Sequence, residues 1–409
     1  MPWVTDEAPT TAELDSCVSC GLCLPHCPTF RLTGDETASP RGRLAAMSAV
    51  AADASAVDHV FAEIMGFCLQ CRACEVACPS LVPFGRAMEG ARAEITAQLP
   101  SRGRRVRHFL LGRVLGMRRT LMLGSRLIAI AQRLGVDRFP LGPAKRLGGL
   151  RRLPLRGRRF SGAEWLGEDP TKGTVALLTG CVMEPWFEPV HDATVEVLRR
   201  AGYTVRAPAA QTCCGALAAH DGASNEAHAL AAKNIDALEG FDVLVINAAG
   251  CAAHMKDYGN WGSRDVAAAA KDVTEVVALL IERGDLPELA ANGERVAVQD
   301  PCHLRHAQRI VDEPRRIVAA AGYEVVDVDP AGWCCGAAGA YTLAHPDTSA
   351  ELGALKAAQV VATTAKVVAS ANPGCEIQLR SHLGSGYRVA HPVELYWEAL
   401  RAVDYSGRS

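Results

Sequence analysis

No stretch of eighteen consecutive apolar residues occurs in the 409-residue chain, so no membrane-crossing helix is expected. The opening residues, MPWVTDEAPTTAELDS, carry neither a basic leader nor an apolar core, and a secretory signal is not expected either. No G-x-G-x-x-G follows an apolar run, and no G-x-x-x-x-G-K-[ST] occurs. A dinucleotide or a nucleoside triphosphate therefore has no evident seat. No Ser–His–Asp arrangement can be inferred, and the Asp and Glu residues show no pairing.

What the chain has in excess is cysteine. Sixteen cysteines stand in a sequence that is 49% hydrophobic and 22% charged, the balance of a globular protein. The length suits two or three domains. A disulfide framework belongs to short chains behind a signal peptide. The expectation is a cytoplasmic protein whose thiols are reduced or bound to metal.

Charge is also unevenly spread. The formal net charge is −2, but residues 101–160 hold seventeen Lys or Arg against one acid, Asp137, or +16, which leaves −18 on the rest. Such a belt points to a negative surface. Nucleic acid would want aromatics interleaved for stacking, and only Phe109, Phe139 and Phe160 are present. Nucleic acid is not expected as a partner. Docking on an anionic membrane face or on a protein partner is the reading taken, against a merely solvated surface. Peripheral attachment to the inner face of the cell membrane is the corresponding expectation.

Four regions emerge along the chain. Over residues 1–100, Leu44, Met47 and Ala51, then Val57, Val60, Phe61 and Ile64, recur at helical spacing, and strand signals are absent. Residues 101–171 form the basic linker. LMLGSRLIAIAQRLGV (121–136) reads as an amphipathic helix, and the Gly- and Pro-punctuated stretch after it reads as irregular. Residues 172–290 and 291–409 turn to α/β texture. TVALLTG (174–180), FDVLVINAAG (241–250), RVAVQD (295–300) and KVVASANPG (366–374) are predicted buried strands separated by Ala-rich helices.

The last two regions repeat. Cys181, Cys213, Cys214 and Cys251 recur as Cys302, Cys334, Cys335 and Cys375, offset by 121 residues three times and by 124 once. Both vicinal pairs open a Cys-Cys-Gly. Each thiol lies at or beyond the C-terminal end of a predicted strand, the pole where α/β sheets place their sites. Adjacent side chains diverge, so the two thiols of a pair are not both expected to turn into a core. The following glycine lets backbone approach a cofactor closely. Three readings compete for these eight thiols: a cluster or metal site, a dithiol–disulfide redox site, and inert burial. Cluster or metal binding is the one taken, with Cys213, Cys214, Cys334 and Cys335 as candidate redox thiols. His303 and His306 are candidate proton carriers beside them, although strand-end histidines are commonly structural.

The N-terminal cysteines follow another rule. CVSCGLCLPHCP (17–28) and CLQCRACEVACP (68–79) both read C-x2-C-x2-C-x3-C-P. Two-residue gaps set three thiolates at neighbouring corners of an iron–sulfur cube, and the fourth cysteine ligates the other cluster. Cys17, Cys20, Cys23 and Cys78 are therefore assigned to one [4Fe–4S] centre, and Cys27, Cys68, Cys71 and Cys74 to the second. Structural zinc usually takes separated C-x2-C hooks. His26 reads as a surface neighbour of the first centre.

Tandem cluster motifs followed by two cysteine-rich repeats resemble the iron–sulfur subunit of glycolate oxidase. That family is similar to cysteine-rich subunits of heterodisulfide reductase and of anaerobic glycerol-3-phosphate and lactate dehydrogenases. The carriers, besides the eight N-terminal cysteines, are SPRGRL (39–44), QTCCGAL (211–217), GCAAH (250–254), DPCHLRH (300–306), WCCGAAGAY (333–341) and NPGC (372–375). The resemblance implies an α-helical ferredoxin-like domain followed by two α/β cysteine-rich (CCG) domains. It also implies an electron-transfer role beside an FAD-containing dehydrogenase subunit that oxidises glycolate, with a quinone or other acceptor downstream. D-Lactate, glycerol 3-phosphate and disulfide reduction are the alternatives. Heterodisulfide reductase repeats end in C-x2-C, whereas here His254 and Gln378 stand where that last thiol would be. Removing hydride from an alcohol takes a flavin or nicotinamide, and this chain shows no seat for either. Substrate chemistry is thus expected on another polypeptide.

Overall fold

The computed structural model describes residues 3–135, 149–169 and 172–406. Among them no strand precedes residue 164. The N-terminal region is a set of short helices, of which Pro40–Ala51, His59–Gly66 and Phe84–Gln98 are the longest. Their starts are set locally. Ser39 accepts a hydrogen bond from Gly42 N–H with Pro40 at the first helical position, and Asp58 accepts one from Phe61 N–H. Leu44, Met47, Val50, Phe61, Met65 and Met88 close a core against Phe84, each burial contributing about 1.5–3 kcal/mol. Val60, expected on the inward face, is 63% exposed. It follows the cap by only two residues, and the turn it begins presents Phe61 inward instead.

The belt is helical over Arg102–Phe109, Leu110–Val114 and Arg118–Arg133. Residues 149–163 carry no helix. The rest of the expected irregular stretch, 136–148, lies outside the described residues. Its arginines divide into two groups. Arg118 pairs bidentately with buried Glu184 at 2.6 and 2.8 Å, which also accepts from the backbone of Phe160 and Ser161. Arg151 lies between buried Glu376 and Glu394, with four contacts of 2.5–2.7 Å. Arg102, Arg105, Arg113, Arg119 and Arg126 have no acidic partner among the described residues.

Among the described residues nine short strands build two sheets. They are β1 (Glu164–Trp165), β2 (Thr174–Leu178), β3 (Thr204–Arg206), β4 (Leu244–Ile246), β5 (Ala270–Asp272), β6 (Arg295–Gln299), β7 (Glu324–Asp327), β8 (Val367–Ser370) and β9 (Arg388–Ala390). The first sheet runs β1-β3-β2-β4-β5 and the second β7-β6-β8-β9. All pairings are parallel except β1 with β3. Apart from β1 the two orders are identical, so the repeat read from cysteine spacing is a repeat of topology. In each sheet the chain steps one way and then jumps back, leaving a switch point between β2 and β4 and between β6 and β8.

The cores of the repeats join. Val175, Leu177 and Val245 share a cluster with Ile317, Val393 and Tyr396. The helix Pro392–Ser406 packs on Glu188–Arg200. No helix among the described residues is long and apolar enough to cross a membrane.

Candidate functional site

The two N-terminal loops share an unusual backbone. Left-handed φ angles fall on the residues before and after the second cysteine of each motif: Ser19 and Gly21, then Gln70 and Arg72. Three of these four are not glycine, and each costs about 1–2 kcal/mol. Inverting alternate residues makes a concave run of amide N–H groups suited to an anionic centre. Cys17, Cys20, Cys23 and Cys78 line one open pocket, which Cys74 also lines. Among the described residues, no three His, Cys, Asp or Glu side chains converge closely enough to share a single metal ion. Four thiols around a space wider than one ion, within such loops, fit a sulfide-bridged iron cluster.

The second set is buried. Cys27, Cys68, Cys71 and Cys74 are all shielded from solvent. Burial pushes the Cys74 thiol up, and the neighbouring Cys71, Cys68 and Cys27 add to it. Cys71 is raised by burial first and then by Cys302, from the distant second repeat. Thiols held neutral in this way ionise when a metal centre supplies positive charge. Two arginines organise this set, Arg43 of the SPRGRL stretch and Arg92, which no motif marks. Arg43, fully buried, donates to Ile64 O at 3.0 Å and Thr29 Oγ1 at 3.2 Å, with Nη1 3.9 Å from Cys27 Sγ. Arg92 donates to the carbonyls of Met65, Cys68 and His220 at 2.6–2.8 Å. Gln70 N–H reaches Cys68 Sγ at 3.3 Å.

The repeats place their thiols alike. Cys181 and Cys302 each lie three residues past the first strand of their repeat, Leu178 and Gln299 being the strand ends. Cys213 and Cys334 each lie seven past Arg206 and Asp327, and Cys251 and Cys375 each five past Ile246 and Ser370. In the second repeat Cys335 Sγ lies 3.2 Å from Cys375 Sγ, and Asn372 Nδ2 donates to Cys375 Sγ at 3.6 Å. Cys302 is drawn down mainly by hydrogen bonding from Cys334. In the first repeat Cys181, Cys213, Cys214 and Cys251 form the same hydrogen-bonded run. The expectation that vicinal thiols cannot both turn into a core is overturned, because Cys213, Cys214, Cys334 and Cys335 are all buried, the two of each pair entering different apolar clusters. The turn sits beneath neighbouring segments rather than on a free sheet end. Gly215 (φ +92°) and Gly336 (φ +82°) then swing the chain so that both side chains stay inside.

The histidines part company. His306 Nε2 bonds Gly332 O at 2.9 Å and holds the turn before the second Cys-Cys-Gly. His303 Nδ1 lies 3.5 Å from Cys302 Sγ. Its ring packs 5.3 Å from His220, which bonds Glu89 at 2.8 Å and lies 6.3 Å from His254. His26 is exposed. Glu89, His220, His254 and His303 come from three regions, and no local pattern announces the cluster.

The four thiol sets are contiguous. Cys71 shares an apolar cluster with Cys334 and, partly buried, Cys302. Gly250 N–H, beside Cys251, donates to Asn372 Oδ1 at 3.2 Å, and Asn372 itself contacts Cys375. At the far end Cys181 and Cys213 pack against Leu115 and Leu121 of the belt.

Known proteins show the same organisation. The 4Fe-4S dicluster domain family matches residues 13–82, and the cysteine-rich domain family matches residues 175–256 and 296–380. The chain is 34% identical to a probable glycolate oxidase iron-sulfur subunit of Bacillus subtilis, over 95% of this chain and 94% of that protein. It is 31% identical to the glycolate oxidase iron-sulfur subunit of Escherichia coli, with the same two coverages. Lactate utilization protein A of Oceanobacillus iheyensis is 27% identical, over 54% of this chain and 95% of that protein. With these domains in this order and likeness along nearly its whole length, the chain belongs to the family of glycolate oxidase iron–sulfur subunits.

Proposed function

We propose that this chain is the electron-transfer subunit of a flavoprotein 2-hydroxy-acid dehydrogenase, with glycolate, oxidised to glyoxylate, as the substrate of the complex. Two electrons and two protons leave the alcohol on an FAD-bearing partner. Iron–sulfur centres, when bound, accept and release electrons singly, which is what lets a two-electron flavin feed a separate acceptor. Cys17, Cys20, Cys23 and Cys78 would hold one [4Fe–4S] centre, and Cys27, Cys68, Cys71 and Cys74 a second. Cys181, Cys213, Cys214 and Cys251, and Cys302, Cys334, Cys335 and Cys375, would hold further clusters or metal. Arg43 and Arg92 keep the buried set in register, and the apolar packing around it excludes water. The acceptor would be a quinone or another carrier at the inner face of the cell membrane.

The observation that carries this reading is the contiguity of the sulfur sets, from the exposed Cys20 to Cys181 under the belt. D-Lactate is the second reading, favoured by the likeness to lactate utilization proteins. Anaerobic copurification of the chain with its flavoprotein, followed by visible bleaching, tests both. Glycolate should bleach the centres with D-lactate ineffective; the reverse exchanges the substrates, and no bleaching by either refutes both. Replacement Cys78→Ser should remove the low-temperature EPR signal of the centre shared with Cys17, Cys20 and Cys23. Loss of only the other signal would refute the crossed ligand assignment.

A further inference from the structure

The belt helix Arg118–Arg133 turns its apolar residues the wrong way for a globular protein. Its inward face is made by Leu121, Ser125, Ala129 and Gln132, and only Ser125 and Ala129 are fully buried. Leu123, Leu127, Ile130 and, just past the helix, Leu134 are 59%, 60%, 45% and 75% exposed. Their spacing of four, three and four residues puts all of them on one stripe, about opposite the buried side. The preceding turns repeat the pattern with Val106, Phe109 and Leu110, also exposed.

The rotation of this helix is fixed from within. Trp186 Nε1 donates to Ser125 Oγ at 2.9 Å, and Arg118 is held by Glu184. Gln132 both donates to Arg151 O at 2.9 Å and accepts from Leu153 N–H at 2.8 Å. A half-turn that would hide the leucines would break all of these. The stripe therefore faces outward by construction.

Charge then selects the occupant. Arg119, Arg126 and Arg133 recur every seven residues along one flank of the stripe, and no Asp or Glu occurs from residue 95 to residue 136. A second copy of the chain would bring these arginine rows together, which repels. A nucleic acid would meet aliphatic side chains that give it nothing to stack on. A protein partner would be anchored by buried Trp or Tyr, and none lies in this segment. Aliphatic side chains on the outer face, flanked by arginines long enough to reach a headgroup layer, match a lipid surface.

We propose that helices 102–114 and 118–133 form an interfacial anchor that lies in the headgroup region of an anionic bilayer. Leu123, Leu127, Ile130 and Leu134 enter the acyl boundary, and Arg119 and Arg126 meet lipid phosphates. This deepens the membrane-acceptor reading above and rests on it for its physiological sense. It also sets the Cys181 end of the sulfur run beside the bilayer, because Leu115 and Leu121 cover Cys181 and Cys213.

The test is flotation of the anaerobically purified full-length chain with vesicles of phosphatidylcholine alone and of phosphatidylcholine mixed with phosphatidylglycerol. No flavoprotein or hydroxy acid is present, so failure here leaves the electron-transfer reading standing, and failure of substrate bleaching leaves this result standing. The chain should float with the phosphatidylglycerol vesicles, less so as salt is raised, and not with phosphatidylcholine alone. Arg119→Ala with Arg126→Ala should weaken binding about thirtyfold, and Leu123→Gln with Leu127→Gln about tenfold or more. All four side chains lie on the outer face, so thermal midpoint and visible absorbance should be unchanged. A bimane label on Leu127→Cys should shift to the blue on adding the anionic vesicles. No flotation, equal flotation with both vesicle types, or binding indifferent to the substitutions would overturn the proposal. So would a bimane shift produced by the flavoprotein without lipid, which would make this a protein interface.

Discussion

Cys181 and Cys302 occupy the same position in the same sheet topology, yet they look out on different neighbours. Cys302 meets the N-terminal region through Cys71 and Leu69, whereas Cys181 meets the belt through Leu115 and Leu121. A duplicated unit with four thiols at fixed distances from its strand ends has thus been given two covers. Contacts elsewhere in the repeats differ in the same sense. Buried Lys356, paired with Asp329 at 2.8 Å, lies near Cys335. In the first repeat the neutral Asn234 and Tyr258 bond the carbonyls of Cys213 and Cys214. The fold places thiols; the covers decide what each set can exchange with. The Cys302 end of the second repeat faces the N-terminal thiols, and the Cys181 end of the first lies beneath the belt.

The sharpest way to break this comparison is to remove one thiol from each repeat. If the sets act in series, Cys302→Ser and Cys181→Ser should each slow glycolate-driven reduction of a quinone analogue by about a hundredfold, the upper end of what disturbing a metal shell costs. The N-terminal centres should still bleach in both variants. A Cys181→Ser rate within about twofold of the parent would make the first repeat a side branch.

Next in size are the ties that hold the belt to each repeat. Among the described residues Arg151 alone forms salt bridges to Glu376 and Glu394, both nearly inaccessible. Arg151→Met leaves two buried carboxylates facing each other, and should cost about 3–5 kcal/mol. Arg118 is a third exposed, so Arg118→Met should cost less, about 1–3 kcal/mol. Denaturant midpoints of the two variants measure the difference. Equal losses would mean that the belt is held evenly by both repeats.

Spacing made the thiols legible and burial did not. The N-terminal motifs and the 121-residue offset are local or periodic, so they survive in one dimension. Strands β3, β5, β7 and β9 were missed because three or four residues such as Thr-Val-Arg or Ala-Lys-Asp carry too little apolar signal; their pairing to a buried central strand makes them strands. β1, two residues long and ahead of the expected domain start at 172, is recruited by β3 alone. The belt helix was legible as a helix, but its period fits either rotation. Trp186 and Glu184, more than fifty residues away, choose the one that exposes the leucines. Arg43 and Arg92 sit in helices that look ordinary until the loops they brace are in place.

The smallest effect expected is one of pH, and it should be shared by the repeats. His191 in the first and His391 in the second are both fully buried with pKa lowered to about 4. Burial is the main cause. For His191 the geometry agrees, since Asn247 Nδ2 lies 2.9 Å from Nδ1 and would oppose a proton there, while Nε2 already faces Thr179 O at 3.1 Å. Both groups bind protons more readily unfolded, near pH 6.5, than folded. Their contribution is therefore complete above about pH 6.5 and is lost as pH falls toward 4, at about 1.4 kcal/mol per pH unit for each histidine. Asp272 works the other way. Burial raises its pKa to about 6, so its contribution is complete below its ordinary range and is lost as pH rises through that value. Over the window from 6 to 4 two histidines outweigh one carboxyl, and net stability should fall by roughly 1–3 kcal/mol. Denaturant midpoints at successive pH values measure the slope, and His191→Gln should remove the first repeat's share of it. A slope unchanged in that variant would place the acid sensitivity in the second repeat and break the symmetry assumed for the pair.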